Sequence, residues 1–328
     1  MGSTDPDGVS LRAGAALINI LVISLALGAC VAQRDTAGSS QVASAPAITR
    51  LAAITPITET WPVTVTLTPT PTSKARPSET PLPSATLTPT PLECWGQGGH
   101  YEEGSLRNDL LPLPMEYRVY LPPCYDQQGD RRYPVLYLIH GQNYNHDQWD
   151  RLGVDETADK LIAAGEIPPL LIVLPRDRSW TMPTVDPFGQ VLVEGLVPFI
   201  DSTYRTLPER PYRAVGGLSR GAGWAVHLGL SQWELFGAIG GHSLPVFWTD
   251  TAYIRQWLKD IPPEELPRIY LDIGENDRPQ ILNSARWFEN LLTEERIPHE
   301  WYLFSGYHEE AYWQSHLEQY LRWYARDW

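Results

Sequence analysis

Residues Tyr212–Gly221 read YRAVGGLSRG, a strand pattern over Tyr212–Gly216 that runs directly into Gly217-Leu218-Ser219-Arg220-Gly221. A helical pattern follows at once, from Arg220 to about Leu230. G-x-S-x-G alone is a weak signal, but between a strand and a helix it forms a sharp turn that lifts a serine hydroxyl above a sheet. The glycines permit the turn, Ser219 is expected in a strained backbone conformation, and the following helix aims its positive end at the same point. The competing reading is an ordinary glycine-rich turn.

Working outward, Tyr117–Leu121 (YRVYL) alternates as a strand does, whereas Val135–Ile139 (VLYLI) and Leu170–Leu174 (LLIVL) are unbroken apolar runs. Unbroken runs of that length mark strands covered on both faces. Helices are expected over Asp155–Ala164, Val191–Tyr204, Thr251–Asp260 and Gln280–Glu295, with another from about Glu310. Further strands are expected over Phe236–Gly240, Arg268–Ile273 and Glu300–Phe304. The alternation predicts an α/β fold, a mainly parallel sheet with helices on both faces. In such a sheet the chemistry collects at the C-terminal strand ends.

A serine hydroxyl needs a base to become a nucleophile. Of eight histidines, His308 sits four residues beyond the strand Glu300–Phe304, after a glycine and before a helix. His242 follows the strand after the serine turn and reads as a pocket residue. His299 lies at the wrong strand end, and His227 and His316 have helical surroundings. The acid that orients His308 is expected to be Asp277, in the loop Gly274–Asp277, in preference to Glu275 beside it or Asp272 within the strand. Backbone amides of Arg220 and Gln142 are the expected oxyanion donors, the second following His140-Gly141 at the end of Val135–Ile139. His140 reads as structural. Asn143, Tyr144, Trp149, Trp180 and His242 are expected to line the pocket, with Ser179, Met182 and Trp248 nearby.

These pieces resemble the esterase family that includes feruloyl and acetylxylan esterases, S-formylglutathione hydrolases and mycobacterial mycolyltransferases. The matching residues are His140-Gly141 with Trp149, Leu196–Asp201, Arg213–Ser219, Phe236-Gly237, Gly274–Asp277 and Tyr307-His308. The resemblance runs from about Glu103 to the end. It implies the α/β-hydrolase fold, no metal or organic cofactor, and a Ser219–His308–Asp277 triad acting on carboxylic esters. One departure stands out: members often place Met and two glycines after the serine, where this chain has Arg220, Gly221 and Ala222, so a guanidinium near the pocket could alter substrate choice.

The rest of the chain concerns location. Ala13–Ala29 is an apolar run ending at Leu27-Gly28-Ala29-Cys30, which resembles a bacterial lipobox and implies cleavage before Cys30 and acylation of its thiol. An uncleaved membrane anchor is the alternative; either makes residues 93–328 an exported, membrane-tethered domain. Val31–Leu92 is rich in Thr, Pro and Ser, repeats TLTPTP at Thr66–Pro71 and Thr86–Pro91, and reads as an extended tether. Met1–Pro91 is charge-neutral, so the net charge of −14 lies in the remainder. An acidic body without a basic stripe argues against nucleic-acid binding and disfavours strongly anionic substrates. Cys94 and Cys124 suit one disulfide in an oxidising compartment, worth roughly 3 kcal/mol by loop entropy; two buried thiols are the alternative. Two other functions fit the same residues. In an acyltransferase a sugar hydroxyl replaces water, which product analysis would reveal. An intact serine, histidine and acid, each at its proper strand end, argue against a non-catalytic binding protein.

Overall fold

The computed structural model describes residues 93–328; the Cys30 lipobox and the Val31–Leu92 tether lie outside the described residues. Eight strands form one sheet: β1 (His100–Leu106), β2 (Met115–Leu121), β3 (Val135–Ile139), β4 (Leu171–Pro175), β5 (Arg213–Leu218), β6 (Ala238–His242), β7 (Arg268–Gly274) and β8 (Glu300–Phe304). Their order is β1-β2-β4-β3-β5-β6-β7-β8. The β1–β2 and β2–β4 pairings are antiparallel and the others parallel. Nine helices accompany them among the described residues: α1 (Gln148–Arg151), α2 (Val154–Ala163), α3 (Phe188–Val191), α4 (Val197–Thr203), α5 (Arg220–Ser231), α6 (Ile254–Asp260), α7 (Pro279–Glu294), α8 (Glu310–Ser315) and α9 (Leu317–Ala325).

The unbroken apolar runs have a direct physical cause. Because side chains alternate across a strand, Val135, Tyr137 and Ile139 enter the core shared with α3–α7, while Leu136 and Leu138 enter the one shared with α1, α2, α8 and α9. The same split sends Leu171 and Val173 one way and Ile172 and Leu174 the other. Two dry layers therefore need apolar residues at every position.

Three expectations need correction, and one strand was not foreseen. Strand β1 was not legible: HYEEGSL sits at the sheet edge, largely exposed, with no core face to impose alternation. Strand β6 begins and ends two residues later than Phe236–Gly240, so His242 is its last residue, paired with Leu218 and Asp272. Three of its residues, Ala238, Gly240 and Gly241, carry too little side chain to set the boundary. The helix expected from Thr251 starts at Ile254, and the C-terminal helix is broken at His316 into α8 and α9. The Cys94–Cys124 disulfide is present, with Cα atoms 5.1 Å apart, fastening the start of the domain to the segment after β2.

Candidate active site

The turn after β5 shows why its glycines are needed. A Cβ on Gly217 would overlap the Gly221 backbone, and one on Gly221 would overlap the Ile139 carbonyl. With that close approach secured, Ser219 is held at φ 52°, ψ −123°, a region L-residues avoid. Its amide donates to the His242 carbonyl at 2.9 Å, which ties the turn to the end of β6.

Two neighbouring loops bring the partners. The amide of Glu275 donates to Phe304 O (2.7 Å) and that of Asn276 to Gly306 O (3.0 Å), so the loops after β7 and β8 interlock. Asp277 is buried, 4% exposed, and its Oδ1 accepts the Arg278 amide at 2.6 Å. His308 Nδ1 lies 3.0 Å from Asp277 Oδ2, and Nε2 lies 2.9 Å from Ser219 Oγ. A carboxylate only accepts, so Nδ1 carries the proton and Nε2 is left to accept from the serine hydroxyl. Trp313, which reading by strand ends missed, stands edge-on to the His308 ring at 5.1 Å and donates its indole N–H to Ser243 Oγ at 3.2 Å.

The expected oxyanion donors flank the same serine. Arg220 is the first residue of α5, where no helix carbonyl is available to its amide. Gln142 belongs to a peptide whose other end, Gly141 O, accepts from His140 Nδ1 (2.7 Å) and the Tyr144 amide (3.2 Å). Because the peptide is planar, holding that carbonyl sets the direction of the Gln142 N–H. His140 is buried, and burial holds its pKa below the ordinary histidine value, keeping the ring neutral. It is structural, as expected.

A cleft of about 550 Å³ opens over Ser219 and His308, lined by Gln142, Asn143, Tyr144, Trp180, Met182, Arg220, Phe247, Trp248 and Trp313 among others. Trp180 and Trp248 are 66% and 72% exposed at its rim. Two expected pocket residues are elsewhere. Trp149 is 1% exposed, donating its indole N–H to Ile139 O at 3.1 Å, inside the core shared with α1, α2, α8 and α9. His242 is fully buried in the same layer, because the end of β6 turns its side chain beneath the sheet rather than over it. The Arg220 guanidinium is not free in the cleft either: Asp177 and Asp186 hold it.

A mostly parallel sheet with a serine turn after its central β5, an acid in the loop after β7 and a histidine in the loop after β8 defines an α/β hydrolase. The chain belongs to the family described as Putative esterase, whose model matches residues 110–324. It is 31% identical over 178 residues to an endo-1,4-beta-xylanase/feruloyl esterase of Xylanibacter ruminicola, covering 51% of this chain and 23% of that protein. An esterase of Mycobacterium tuberculosis is 28% identical over 243 residues, 58% of this chain and 51% of that protein. The chain thus spans about a quarter of one relative's length and about half of the other's. Among solved structures, a ferulic acid esterase superposes with a TM-score of 0.62 at 24% identity, covering 70% of this chain and 99% of that one, a likeness of fold.

Proposed function

We propose that the protein hydrolyses short acyl or aryl-acyl esters outside the cytoplasm through an acyl-enzyme on Ser219. The observation that carries this reading is the continuous Ser219–His308–Asp277 hydrogen-bonded line opening into an aromatic-rimmed cleft. Ser219 Oγ attacks the ester carbonyl carbon and its proton passes to His308 Nε2. The Gln142 and Arg220 amides stabilise the oxyanion, and Asp277 stabilises the imidazolium. Collapse expels the alcohol, which leaves with the proton from Nε2. Water then attacks the acyl-serine, giving its proton to His308, and the acid departs as Ser219 recovers a proton.

The acyl preference rests on shape. The cleft walls offer flat apolar faces in Tyr144, Trp180, Phe247 and Trp248, which suit an aryl group or sugar rings. The two relatives named for ferulate support an aromatic acyl group. Export and lipid tethering rest on the run ending at Cys30, and a mature mass beginning upstream of Cys30 would refute them.

A fluorophosphonate probe is expected to label the wild type once. Ser219→Ala should abolish labelling and lower turnover roughly ten-thousand-fold or more, since the triad acts as a unit. Normal turnover by that variant would end the reading. Higher kcat/KM for palmitoyl than for acetyl and feruloyl esters would overturn the substrate class. Trp180→Ala should mainly raise KM for methyl ferulate.

A further inference from the structure

The residue after the nucleophile has two jobs that point in opposite directions. Its amide faces the expected oxyanion, while its side chain runs back into the loop between β4 and α3. There Arg220 Nε donates to Asp177 Oδ2 at 2.7 Å, and Nη2 donates to Asp186 Oδ2 at 3.0 Å and Thr181 O at 2.8 Å. All three charged side chains are 6% exposed or less. Asp177 is the hub. Its Oδ2 also accepts the Trp224 indole N–H at 2.9 Å, and its Oδ1 accepts the Ser179 amide at 2.8 Å. Its own amide donates to His140 Nε2 at 3.0 Å. An amide can only donate, so His140 must carry its proton on Nδ1, the atom that donates to Gly141 O. The same loop returns to the far side of the cleft, where Trp180 Nε1 donates to Gln142 O at 3.1 Å.

The two expected oxyanion amides therefore sit on one hydrogen-bonded frame that runs from Gln142 through the Gly141 carbonyl, His140 and Asp177 to Arg220. We propose that Asp177 and the Arg220 side chain are positioning residues for ester hydrolysis, which hold the Gln142 and Arg220 amides at a fixed separation and lock the Trp180 loop to the same frame. The proposal rests on the Ser219 mechanism above. It also explains the guanidinium that replaces the family's usual side chain after the serine: it braces the site rather than meeting substrate.

Asp177→Asn is the gentle test. It keeps shape, keeps the backbone bond to His140, and leaves Arg220 paired one-to-one with Asp186, so no buried charge is stranded. The expected result with p-nitrophenyl acetate is a fall in kcat of about 10- to 100-fold with KM within about threefold. That is less than the about 100- to 1000-fold for deleting an oxyanion donor outright. Affinity for phenylboronic acid, which forms a tetrahedral serine adduct, should fall by a similar factor, an effect that a merely less stable fold would not produce in folded protein. Arg220→Lys should show a smaller loss of the same kind. A folded Asp177→Asn with kcat within threefold of wild type would overturn the proposal. If neither variant folds, histidine nitrogen NMR of the wild-type protein at pH 8 decides it: the neutral His140 ring must hold the Nδ1–H tautomer, and an Nε2–H tautomer would refute the frame. Ser219→Ala assayed in parallel separates the failures, since full activity there would sink the mechanism itself.

Discussion

The domain contains two histidine–aspartate pairs on adjacent strand ends, and they do different things. His308 and Asp277 lie in the loops after β8 and β7, with Nε2 turned to Ser219 and the cleft. His242 and Asp272, facing each other across β6 and β7, meet at 2.6 Å with neither side chain exposed. The buried pair is closed on every side. His242 Nε2 meets the Tyr324 hydroxyl at 3.0 Å, and Asp272 Oδ2 accepts from Tyr312 at 2.6 Å and Tyr320 at 2.8 Å. Burial, and then the nearby Asp272 carboxylate, push the Tyr312 and Tyr320 phenols well above the ordinary tyrosine range, so both stay protonated donors. The Tyr320 ring stacks on His242 with centroids 3.8 Å apart. A histidine oriented by a carboxylate is thus not a base by virtue of the pairing; it becomes one when its second nitrogen faces a hydroxyl and open space. The buried pair acts as a polar rivet between the sheet and α8–α9.

Neutralising each acid in turn should separate the two pairs. Asp277→Asn should lower kcat by roughly a thousand- to ten-thousand-fold with an unchanged melting temperature, because the amide presents the wrong partner to His308. Asp272→Asn should do the opposite. It leaves His242 and two phenols mismatched in a dry layer, costing on the order of 3 kcal/mol in urea denaturation, with near-normal kcat per folded molecule. If Asp272→Asn lost turnover at unchanged stability, the division between the pairs would be wrong.

Tyr324→Phe tests the closed end of the buried pair. The Tyr324 hydroxyl sits over Gly216 and Gly240, where any Cβ would overlap it. Removing it strands His242 Nε2 and should cost about 1–3 kcal/mol, read as a lower denaturation midpoint at constant kcat.

Asp155, near the start of α2, sharpens the contrast from another side, since its Oδ1 is buried with no hydrogen-bond partner. Burial, first, pushes its carboxyl up from 3.8 to about 7. The native state therefore holds a proton that the unfolded chain releases between about pH 4 and pH 7, so this residue's contribution to stability is lost as pH rises through that window. Asp155→Asn should melt higher than wild type at pH 8, with the advantage fading towards pH 4.5. An equal difference at both pH values would show that ionisation is not the cause.

Much of the candidate site was legible because its signals are local. Gly217 and Gly221 flank Ser219 because side chains there would collide with backbone, and that requirement is written at fixed spacing. His308 was separable from the other histidines by its place just past a strand, and Asp277 from Asp272 by the same rule. What sequence spacing did not carry was the direction of a side chain at a strand end. His242 looks equivalent to a pocket residue along the chain, yet β6 runs two residues further than Gly240, so His242 is a ladder position whose ring lies under the sheet and not a loop residue above it. Trp149 lies close in sequence to the oxyanion loop, but the single turn of α1 rolls its indole into the core. Arg220 reads as a charge beside the pocket; only folding brings Asp177 and Asp186, more than thirty residues earlier, to meet it. Local sterics and strand periodicity determine which residues reach the sheet's C-terminal edge. Which face each one takes, and which distant partner meets it there, is decided by register and layer packing, which depend on contacts between segments remote in sequence.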